Sequence, residues 1–421
     1  MKFNLGKSYL LIEQGIISLL NFGLIFILSR IVSPVIFKEF FLGYSIVIMI
    51  SLIASNFANQ PLQVFLKKGE GNIMDYISKA ILLNILTVLF ISILCFLVVY
   101  FNYTFLLNDL IFIIILGLLV SIYDLIRRIS FVYFTNSFLG NALSSSLIII
   151  SVLGISAWLY FFGVITPNSV YIALIIGYLL GVFLILFLKR DFIFYHSKFS
   201  KSNTKNVLFL NVLKKHYNYA RWLVIGIFFF WFYTQGLYFL GEKYIDIEDF
   251  NAVRISQNLV GVLSILFLTF ENYMLTKVAD VFHIEKHKGV ALFVKNTFKK
   301  VAFKFIISLI CISILILYSY KLYYSNNPFY SEKIIYLYYF FAYQLIFGLS
   351  RIFAVALKAI NGTKYFFYNH CFTAVITLII SWLFIEEYNS GHTLALILLL
   401  SILIFSTGLF LSYKREIAKN I

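Results

Sequence analysis

Residues 80–101 read AILLNILTVLFISILCFLVVYF, a run of 22 residues without a charged side chain. A helix needs roughly 20 predominantly apolar residues to cross the hydrocarbon core of a bilayer, so this run predicts a transmembrane helix. Eleven other stretches share its length and composition. The twelve predicted spans are residues 8–29, 39–58, 80–101, 110–134, 142–163, 170–188, 219–241, 250–276, 301–320, 334–356, 366–385 and 393–412.

The overall composition supports the same fold class. Hydrophobic residues make up 62% of the chain and charged residues only 12%, whereas about a quarter of the residues in an ordinary soluble domain are charged. We therefore predict an all-α polytopic membrane protein with about 12 transmembrane helices in two six-helix bundles.

Basic residues are distributed unevenly between alternate gaps. The positive-inside rule assigns the Lys- and Arg-rich gaps to the cytoplasm, which also places both termini there. The net charge of +16 is spread over these cytoplasmic loops, which suits anionic lipid headgroups and argues against a nucleic-acid partner. Only six of the 34 Lys and Arg residues lie in or near the outer gaps: Arg30, Lys38, Lys243, Arg254, Lys321 and Lys333.

The chain divides at the basic loop between the sixth and seventh spans. We predict an N-terminal bundle at 1–188, a cytoplasmic basic linker at 189–218 and a C-terminal bundle at 219–421. Six spans in each half give both halves the same orientation, as in transporters built from parallel repeats. This arrangement predicts a central cavity between the halves.

Polar residues recur on single helix faces in spans 1, 2, 4, 7, 8 and 10. Polar groups are costly inside a bilayer and normally face protein or water, so these stripes predict one polar lumen. Residues at i, i+3, i+4 and i+7 share a face. The stripes include Ser51, Ser55 and Asn59 in span 2, Ser121, Asp124 and Arg128 in span 4, Thr234 in span 7, and Gly348 and Lys358 in span 10.

The predicted substrate-binding residues of the lumen combine arginines with amides. They are Arg30, Arg254, Arg351, Gln14, Asn21, Gln235, Gln257, Asn258 and Gln344. Three carboxylates, Glu13, Asp124 and Glu271, are either proton or sodium carriers or counter-ions for these arginines. Asp124 could also pair with Arg127 and Arg128 on its own helix. Arg30, Lys304 and Lys358 lie near span ends, where long side chains can snorkel to headgroups.

The sequence predicts neither a metal site nor a cofactor. Cys95, Cys311 and Cys371 lie in apolar spans without the paired spacing of a disulfide or metal framework. His283 and His287 are four residues apart but lack the HExxH pattern, and lysines surround them. We found no catalytic Ser/His/Asp set, and therefore predict a protein that is not an enzyme.

A cationic lumen suits a particular class of cargo. The guanidinium fork favours phosphate or carboxylate, while amides, hydroxyls and aromatic rings suit sugars. An anionic sugar headgroup cannot cross hydrocarbon unaided, because burying an unpaired charge is strongly unfavourable. Such a lumen therefore predicts a transporter of anionic or sugar-containing molecules.

The layout of residues 10–65 resembles a known family. A polar first span containing Gln14 and Asn21 ends in Leu28-Ser29-Arg30, and Ser33-Pro34 and Phe37-Lys38-Glu39-Phe40-Phe41 open the second span. This layout, which recurs more weakly at 218–276, resembles the bacterial O-antigen (lipid-linked oligosaccharide) flippases. These belong to the polysaccharide-transporter branch of the multidrug/oligosaccharidyl-lipid/polysaccharide (MOP) exporter superfamily.

The resemblance implies a MATE-like fold in the bacterial cytoplasmic membrane and alternating access by two bundles, while proton or sodium coupling stays open. It implies that an undecaprenyl-pyrophosphate-linked repeat unit of O-antigen or a related surface polysaccharide moves from the inner to the outer leaflet. Arg30, Arg254 and Arg351 would contact its pyrophosphate. Other polysaccharide-assembly membrane proteins would be partners.

Two alternatives stay open from the sequence. One is an exporter of another cargo in the same superfamily, such as a cationic drug or a different lipid-linked glycan. The other is a polytopic glycan polymerase or ligase. Such enzymes usually carry a sizeable outer loop with catalytic groups, whereas every predicted outer gap in this chain is short.

Overall fold

The computed structural model describes residues 13, 15–16, 22–66, 73–133, 139–163, 165–190, 208–327, 329–360 and 362–420. Every regular element among them is helical. The α-helices are α1 Phe22–Ile31, α2 Pro34–Ala54, α3 Gln60–Leu66, α4 Ile73–Asn102, α5 Leu110–Tyr133, α6 Leu139–Phe161, α7 Pro167–Leu188, α8 Phe209–Trp231, α9 Leu237–Gly241, α10 Ile247–Gly261, α11 Ser264–Tyr324, α12 Ile335–Ala359, α13 Thr363–Tyr388 and α14 Gly391–Asn420.

Ten apolar helices in the described part of the chain are long enough to cross a membrane. The prediction of an all-α polytopic membrane protein is therefore confirmed. Half of the predicted span 8–29 lies outside the described residues, and α1 forms its end. The predicted span 250–276 is divided between α10 and the beginning of α11 by a turn at 262–263.

Helix α4, which contains the run quoted first, has two apolar faces with different surroundings. Leu86, Phe90 and Ile93 are 45%, 65% and 61% exposed. Val88 and Ile91, on the other side, are buried in the protein. An exposed face this apolar would be unfavourable in water but suits hydrocarbon. The backbone of the helix also suits a bilayer, because its N–H and C=O groups bond to one another within the helix. The composition of α4 thus fits a helix packed on one side and lipid-facing on the other.

Two short π-helical segments interrupt the apolar helices. The first, Ser55–Asn59, joins α2 to α3, and the N–H of Gln60 donates to the carbonyl of Ser55 five residues earlier. The second, Phe232–Gly236, joins α8 to α9, with a matching bond from Leu237 to Phe232. Such segments shift the hydrogen-bond register and free carbonyl groups for other donors. The helix that begins at Pro34 therefore continues to Leu66, beyond the predicted span end at 58.

Helix α11 changes direction in its middle. Lys286 has φ 56° and ψ −148°, outside the helical region, so two helices meet there. The chain forms two compact units: unit 1 comprises 1–20 and 35–228, and unit 2 comprises 21–34 and 229–421. The division into bundles at 189–218 stays a prediction. Residues 191–207 of that predicted linker lie outside the described residues, and 209–218 are helical in α8.

Candidate functional site: buried polar networks

Unit 1 contains a network centred on Asp124 in α5. Its carboxylate pairs with Arg127 at 3.0 Å and with Arg128 at 2.9 Å, three and four residues along the same helix. Ser55 Oγ and Asn59 Nδ2, from the first π-helical segment, donate to Asp124 Oδ2 at 2.8 and 3.0 Å. The pairing within its own helix, which the sequence left as an alternative, is therefore present, and a second helix adds two neutral donors.

The same network extends through amide and hydroxyl groups into α4. Asn84 Nδ2 donates to Asn59 Oδ1 and to Ser121 Oγ, each at 2.7 Å. Ser121 returns a hydrogen bond to Asn84 Oδ1 at 3.0 Å. These residues are fully buried, so the reciprocal bonds satisfy polar groups that would be costly to leave unpaired in an apolar environment. We call these residues, together with Gln63, which Arg128 contacts, the Asp124 network. Its members are Ser55, Asn59, Gln63, Asn84, Ser121, Asp124, Arg127 and Arg128.

The two arginines of the network also contact side chains other than Asp124. Arg128 Nη1 donates to Gln63 Oε1 at 3.0 Å, and its Nη2 donates to Ser55 Oγ at 3.2 Å. Arg127 Nη1 lies 3.6 Å from the carboxylate of Glu13, which is fully buried. Glu13 accepts no hydrogen bond from the described residues at either oxygen. The predicted acidic residues Glu13 and Asp124 thus both face arginines of α5.

A buried histidine supports the first π-helical segment. His216 of α8 is fully buried. Its Nδ1 lies 3.2 Å from the carbonyl oxygen of Phe57, and Tyr76 Oη lies 2.9 Å from its Nε2. A carbonyl can only accept, so Nδ1 carries a proton and donates to Phe57. His216 was not singled out from the sequence, since a single histidine in the basic stretch 214–221 shows no periodic signal.

Unit 2 contains a second network around Arg254 in α10. The Arg254 residue is 3% exposed. Arg254 Nη1 donates to Gln235 Oε1 at 2.9 Å and also to Gln257 Oε1. Gln257 Nε2 donates to the carbonyl of Thr234 at 3.3 Å, within the second π-helical segment. The guanidinium carbon lies 5.4 Å from the centroid of the Tyr238 ring. This Arg254 network therefore joins the predicted stripes of spans 7 and 8.

A third network, also in unit 2, brings two cations to one carboxylate. Glu271 pairs with Arg351 at 3.4 Å and with Lys358. The Arg351 guanidinium lies 3.7 Å from the centroid of the Phe347 ring, a cation–π geometry. Glu271 and Arg351 are largely enclosed, while the Lys358 side chain is 37% exposed. Of these three groups, which we call the Glu271 network, two are positive and one is negative.

The remaining predicted site residues are Arg30, Gln344, Asn258, Gln14 and Asn21. Arg30 is exposed, with its guanidinium 4.7 Å from the centroid of the Tyr323 ring. Gln344 in α12 is buried, and its Oε1 accepts no hydrogen bond from the described residues. Asn258 is half-buried in α10. Gln14 and Asn21 lie outside the described residues. A common lumen for all these side chains stays a prediction.

The fold matches solved transporter structures over nearly its whole length. An inward-facing multidrug-resistance transporter of the MATE family in the MOP superfamily matches at a TM-score of 0.69 and 8% identity, covering 100% of this chain and 96% of that chain. A mutant of the Vibrio cholerae MATE transporter VcmN matches at 0.64 and 11%, covering 99% and 98%. The lipid II flippase MurJ, in an inward closed conformation, matches at 0.63 and 17%, covering 99% and 89%.

These matches share the fold at low sequence identity. No protein-family model matches the sequence, and no curated protein matches it either. The chain therefore has a MATE-like fold, as the resemblance implied.

Proposed function

We propose that the chain is a flippase for an anionic lipid-linked oligosaccharide of the undecaprenyl-pyrophosphate class. It moves the headgroup, a repeat unit of O-antigen or a related surface polysaccharide, from the inner to the outer leaflet of a bacterial cytoplasmic membrane by alternating access. The distribution of Lys and Arg supports cytoplasmic termini. The proposal uses the transporter fold described above and adds the cargo from the charges in unit 2.

The observation that carries the proposal is the excess of positive charge in the networks of unit 2. Arg254, Arg351 and Lys358 contribute three cations to them, and Glu271 contributes one carboxylate. Charged groups within membrane-spanning helices are costly and normally have a functional role. Guanidinium groups bind phosphate with paired, charge-assisted hydrogen bonds. An anionic headgroup is therefore a cargo that these cations suit.

The amide groups beside the cations suit the sugar part of such a cargo. Gln235 and Gln257 accept from Arg254, and an amide can donate as well as accept hydrogen bonds with sugar hydroxyls. The acidic residues act as counter-ions in this proposal, since Asp124 and Glu271 each face two cations. No bond-making residue is required, because the transported molecule crosses unchanged.

The function is tested by deleting the gene in its native host and measuring which leaflet holds the lipid-linked glycan. We expect the glycan to accumulate in the inner leaflet and the wild-type gene to restore its delivery. Normal outward delivery in a strain that lacks redundant transporters would rule the proposal out.

The cation assignment is tested by complementing the deletion with single variants at matched protein levels. Arg254→Ala and Arg351→Ala should each reduce transport about tenfold or more, because a hydrogen bond to a charged group contributes roughly 1.5–3 kcal/mol. Arg254→Lys and Arg351→Lys should retain part of the activity. Arg221→Ala, at an exposed arginine of α8, is the control and should transport normally. Full activity of both alanine variants would remove these residues from the site.

A cationic drug is the second candidate cargo, and one observation in unit 1 favours it. Glu13 is a fully buried carboxylate, and enclosed carboxylates suit cationic molecules. Drug accumulation in the deletion strain distinguishes the flippase from an exporter of cationic drugs. Increased retention of lipophilic cations, with normal glycan delivery, would support the exporter of cations and contradict the flippase.

A further inference from the structure

Unit 2 contains an apolar cavity of about 190 Å³ between α11 and α12. Three phenyl rings, Phe267, Phe298 and Phe305, form much of its wall together with aliphatic side chains such as Ala302 and Leu349. Lys304 and Ser308 are the polar residues of the lining. The Ser308 hydroxyl already donates to the carbonyl of Lys304 at 3.0 Å. The cavity is therefore an apolar space with one cation beside it.

Two small residues shape the wall of this space. A Cβ at Gly348 would lie 2.3 Å from Phe267 and 2.6 Å from Phe305, so only glycine lets these rings pack against the backbone of α12. The rings themselves meet edge to face, with centroids 4.9 Å apart. Ala302, one turn before Phe305, has too small a side chain to fill the volume that the rings enclose. The cavity is thus bounded by firmly packed aromatic groups.

Lys304 lies where the exposed surface of α11 changes from basic to apolar. On the N-terminal side, the exposed residues include Lys299 and Lys300, whereas Ile307, Ile310 and Ile314 on the C-terminal side are exposed and apolar. The apolar side suits hydrocarbon, and the basic side suits anionic headgroups. Lys304 is itself exposed. Its ammonium is therefore expected at the depth of the lipid phosphates, with the cavity opening beside it.

We propose that this cavity binds one hydrocarbon chain of an anionic phospholipid, whose phosphate contacts Lys304. An enclosed apolar cavity of roughly 150 Å³ binds benzene, and a water molecule would find few hydrogen-bond partners in a lining whose polar residues are Lys304 and Ser308. A cavity of about 190 Å³ has room for a chain segment of similar bulk. The ammonium supplies a point charge that suits phosphate. The bound lipid would fix α11 against α12.

This site is separate from the cation networks of the proposed function. Its lining includes Phe267 and Gly348, close in sequence to Glu271 and Arg351, but none of the residues of those networks. Lipid binding can therefore be measured on the purified full-length protein without a transport assay. Failure of the flippase proposal would leave this inference intact, and the reverse also holds.

Native mass spectrometry of the detergent-purified protein tests the site with phosphatidylglycerol and phosphatidylcholine of identical chains. We expect the wild type to retain one phosphatidylglycerol about tenfold more tightly than phosphatidylcholine. Ala302→Phe, which fills the cavity, should lose tight binding of both lipids. Lys304→Gln should remove the preference for phosphatidylglycerol while keeping chain binding.

The matched controls lie on the same helix away from the cavity. Lys321→Gln removes an exposed cation, and Ile314→Phe enlarges an exposed apolar side chain. Both should bind like the wild type. Ala302→Leu provides a smaller filling substitution if Ala302→Phe does not fold. Wild-type retention in a folded cavity-filling variant would overturn the site, as would equal retention of the two lipids by the wild type. Tighter retention of undecaprenyl phosphate than of phosphatidylglycerol would overturn the assignment to a phospholipid.

Discussion

His216 Nδ1 lies 3.2 Å from the carbonyl oxygen of Phe57. This carbonyl has no α-helical donor within its own helix. In an α-helix that carbonyl would accept from the N–H of residue 61, which is proline and has none. Inside a membrane a backbone carbonyl needs a partner from elsewhere in the protein. His216 therefore supplies a donor to a carbonyl for which Pro61 offers none.

This relationship predicts a rescue between His216 and Pro61. His216→Phe keeps an aromatic ring but removes the donor, so we expect a loss of about 1–3 kcal/mol in unfolding free energy. Pro61→Ala restores a backbone N–H that can donate to Phe57. The double variant should therefore be more stable than His216→Phe alone, measured as the melting temperature in detergent. Equal destabilisation of the single and double variants would contradict the assigned role of the histidine.

Asp124 is expected to be the most sensitive acidic position of unit 1. Asp124→Ala removes the carboxylate that faces Arg127 and Arg128 and accepts from Ser55. Leaving enclosed cations without their partner costs about 3 kcal/mol or more, so the folded yield and the melting temperature should fall clearly. Fluorescence-detected size-exclusion chromatography of heated samples measures both.

The control for Asp124 is Asp75 near the beginning of α4, which also has a cation four residues later, Lys79 at 2.5 Å. Asp75→Ala should cost only about 0.5 kcal/mol, because a pair of this kind on one helix contributes little. A similar loss in both variants would mean that the extra partners of Asp124 add nothing to the fold.

The sequence predicted the spans and several members of the networks because both depend on local patterns. Length and apolar composition identify helices that can cross a bilayer, and a 3.6-residue period identifies shared faces. Asn59, Asp124 and Arg128 were assigned to stripes on different spans, and the structure brings them into contact. Two stripes meet in the same way when Gln235 accepts from Arg254.

What the sequence missed depends on backbone register and distant pairing. Asn84 joins the Asp124 network although it is an isolated amide in an otherwise apolar run, so no periodicity marked it. The π-helical segments depend on a one-residue shift in hydrogen bonding that no pattern of side chains reveals. Lys358 and Glu271 are 87 residues apart, and only the tertiary fold identifies them as partners.

Glu271 should contribute more to stability than the lysine it binds. Glu271→Gln leaves both Arg351 and Lys358 without their carboxylate, whereas Lys358→Gln leaves Glu271 paired with Arg351. The Lys358 side chain is also more than a third exposed, so solvent screens its charge. We expect a loss of about 3 kcal/mol for Glu271→Gln and at most about 1 kcal/mol for Lys358→Gln. Thermal unfolding of both variants checks the order, and the reverse order would contradict the assigned geometry.

Asp109 is expected to make the stability of the fold depend on pH. It lies in the turn before α5, outside the spanning helices, and it is 4% exposed. Burial, with a smaller contribution from the Glu39 carboxylate, raises the pKa of Asp109 to about 6. An acid with a higher pKa in the folded state destabilises the fold when ionised. This cost is absent below about pH 4, develops up to about pH 6 and stays constant above it.

Asp109→Asn should therefore raise the melting temperature at pH 8 but leave it unchanged at pH 4. Asparagine is as suitable as aspartate at a helix N-terminus, so the substitution mainly removes the charge. Asp246→Asn, at an exposed position before α10, is the control for replacing a carboxylate near a helix N-terminus. An equal effect of Asp109→Asn at both pH values would contradict the buried ionisation.

Gly43 of α2 should tolerate no larger residue, because a tyrosine occupies the space beside it. A Cβ at this position would lie 2.1 Å from the hydroxyl of Tyr171 and 2.7 Å from Cδ1 of Ile113. Tyr171 is fully buried and its hydroxyl donates to the carbonyl of Phe40 at 2.8 Å. Gly43→Ala would displace that hydroxyl and strain the packing of α5 and α7.

We expect Gly43→Ala to lower the unfolding free energy by about 1–3 kcal/mol, the usual cost of overpacking. Gly154→Ala in α6 is the matched control, since nothing lies within 4 Å of a Cβ there. Alanine favours helix over glycine by up to about 1 kcal/mol, so Gly154→Ala should be neutral or slightly stabilising. The two variants differ from each other only in what surrounds the added methyl group. If Gly43→Ala also gained stability, Tyr171 could not be packed against α2 as described, because the methyl group and the hydroxyl cannot occupy the same volume.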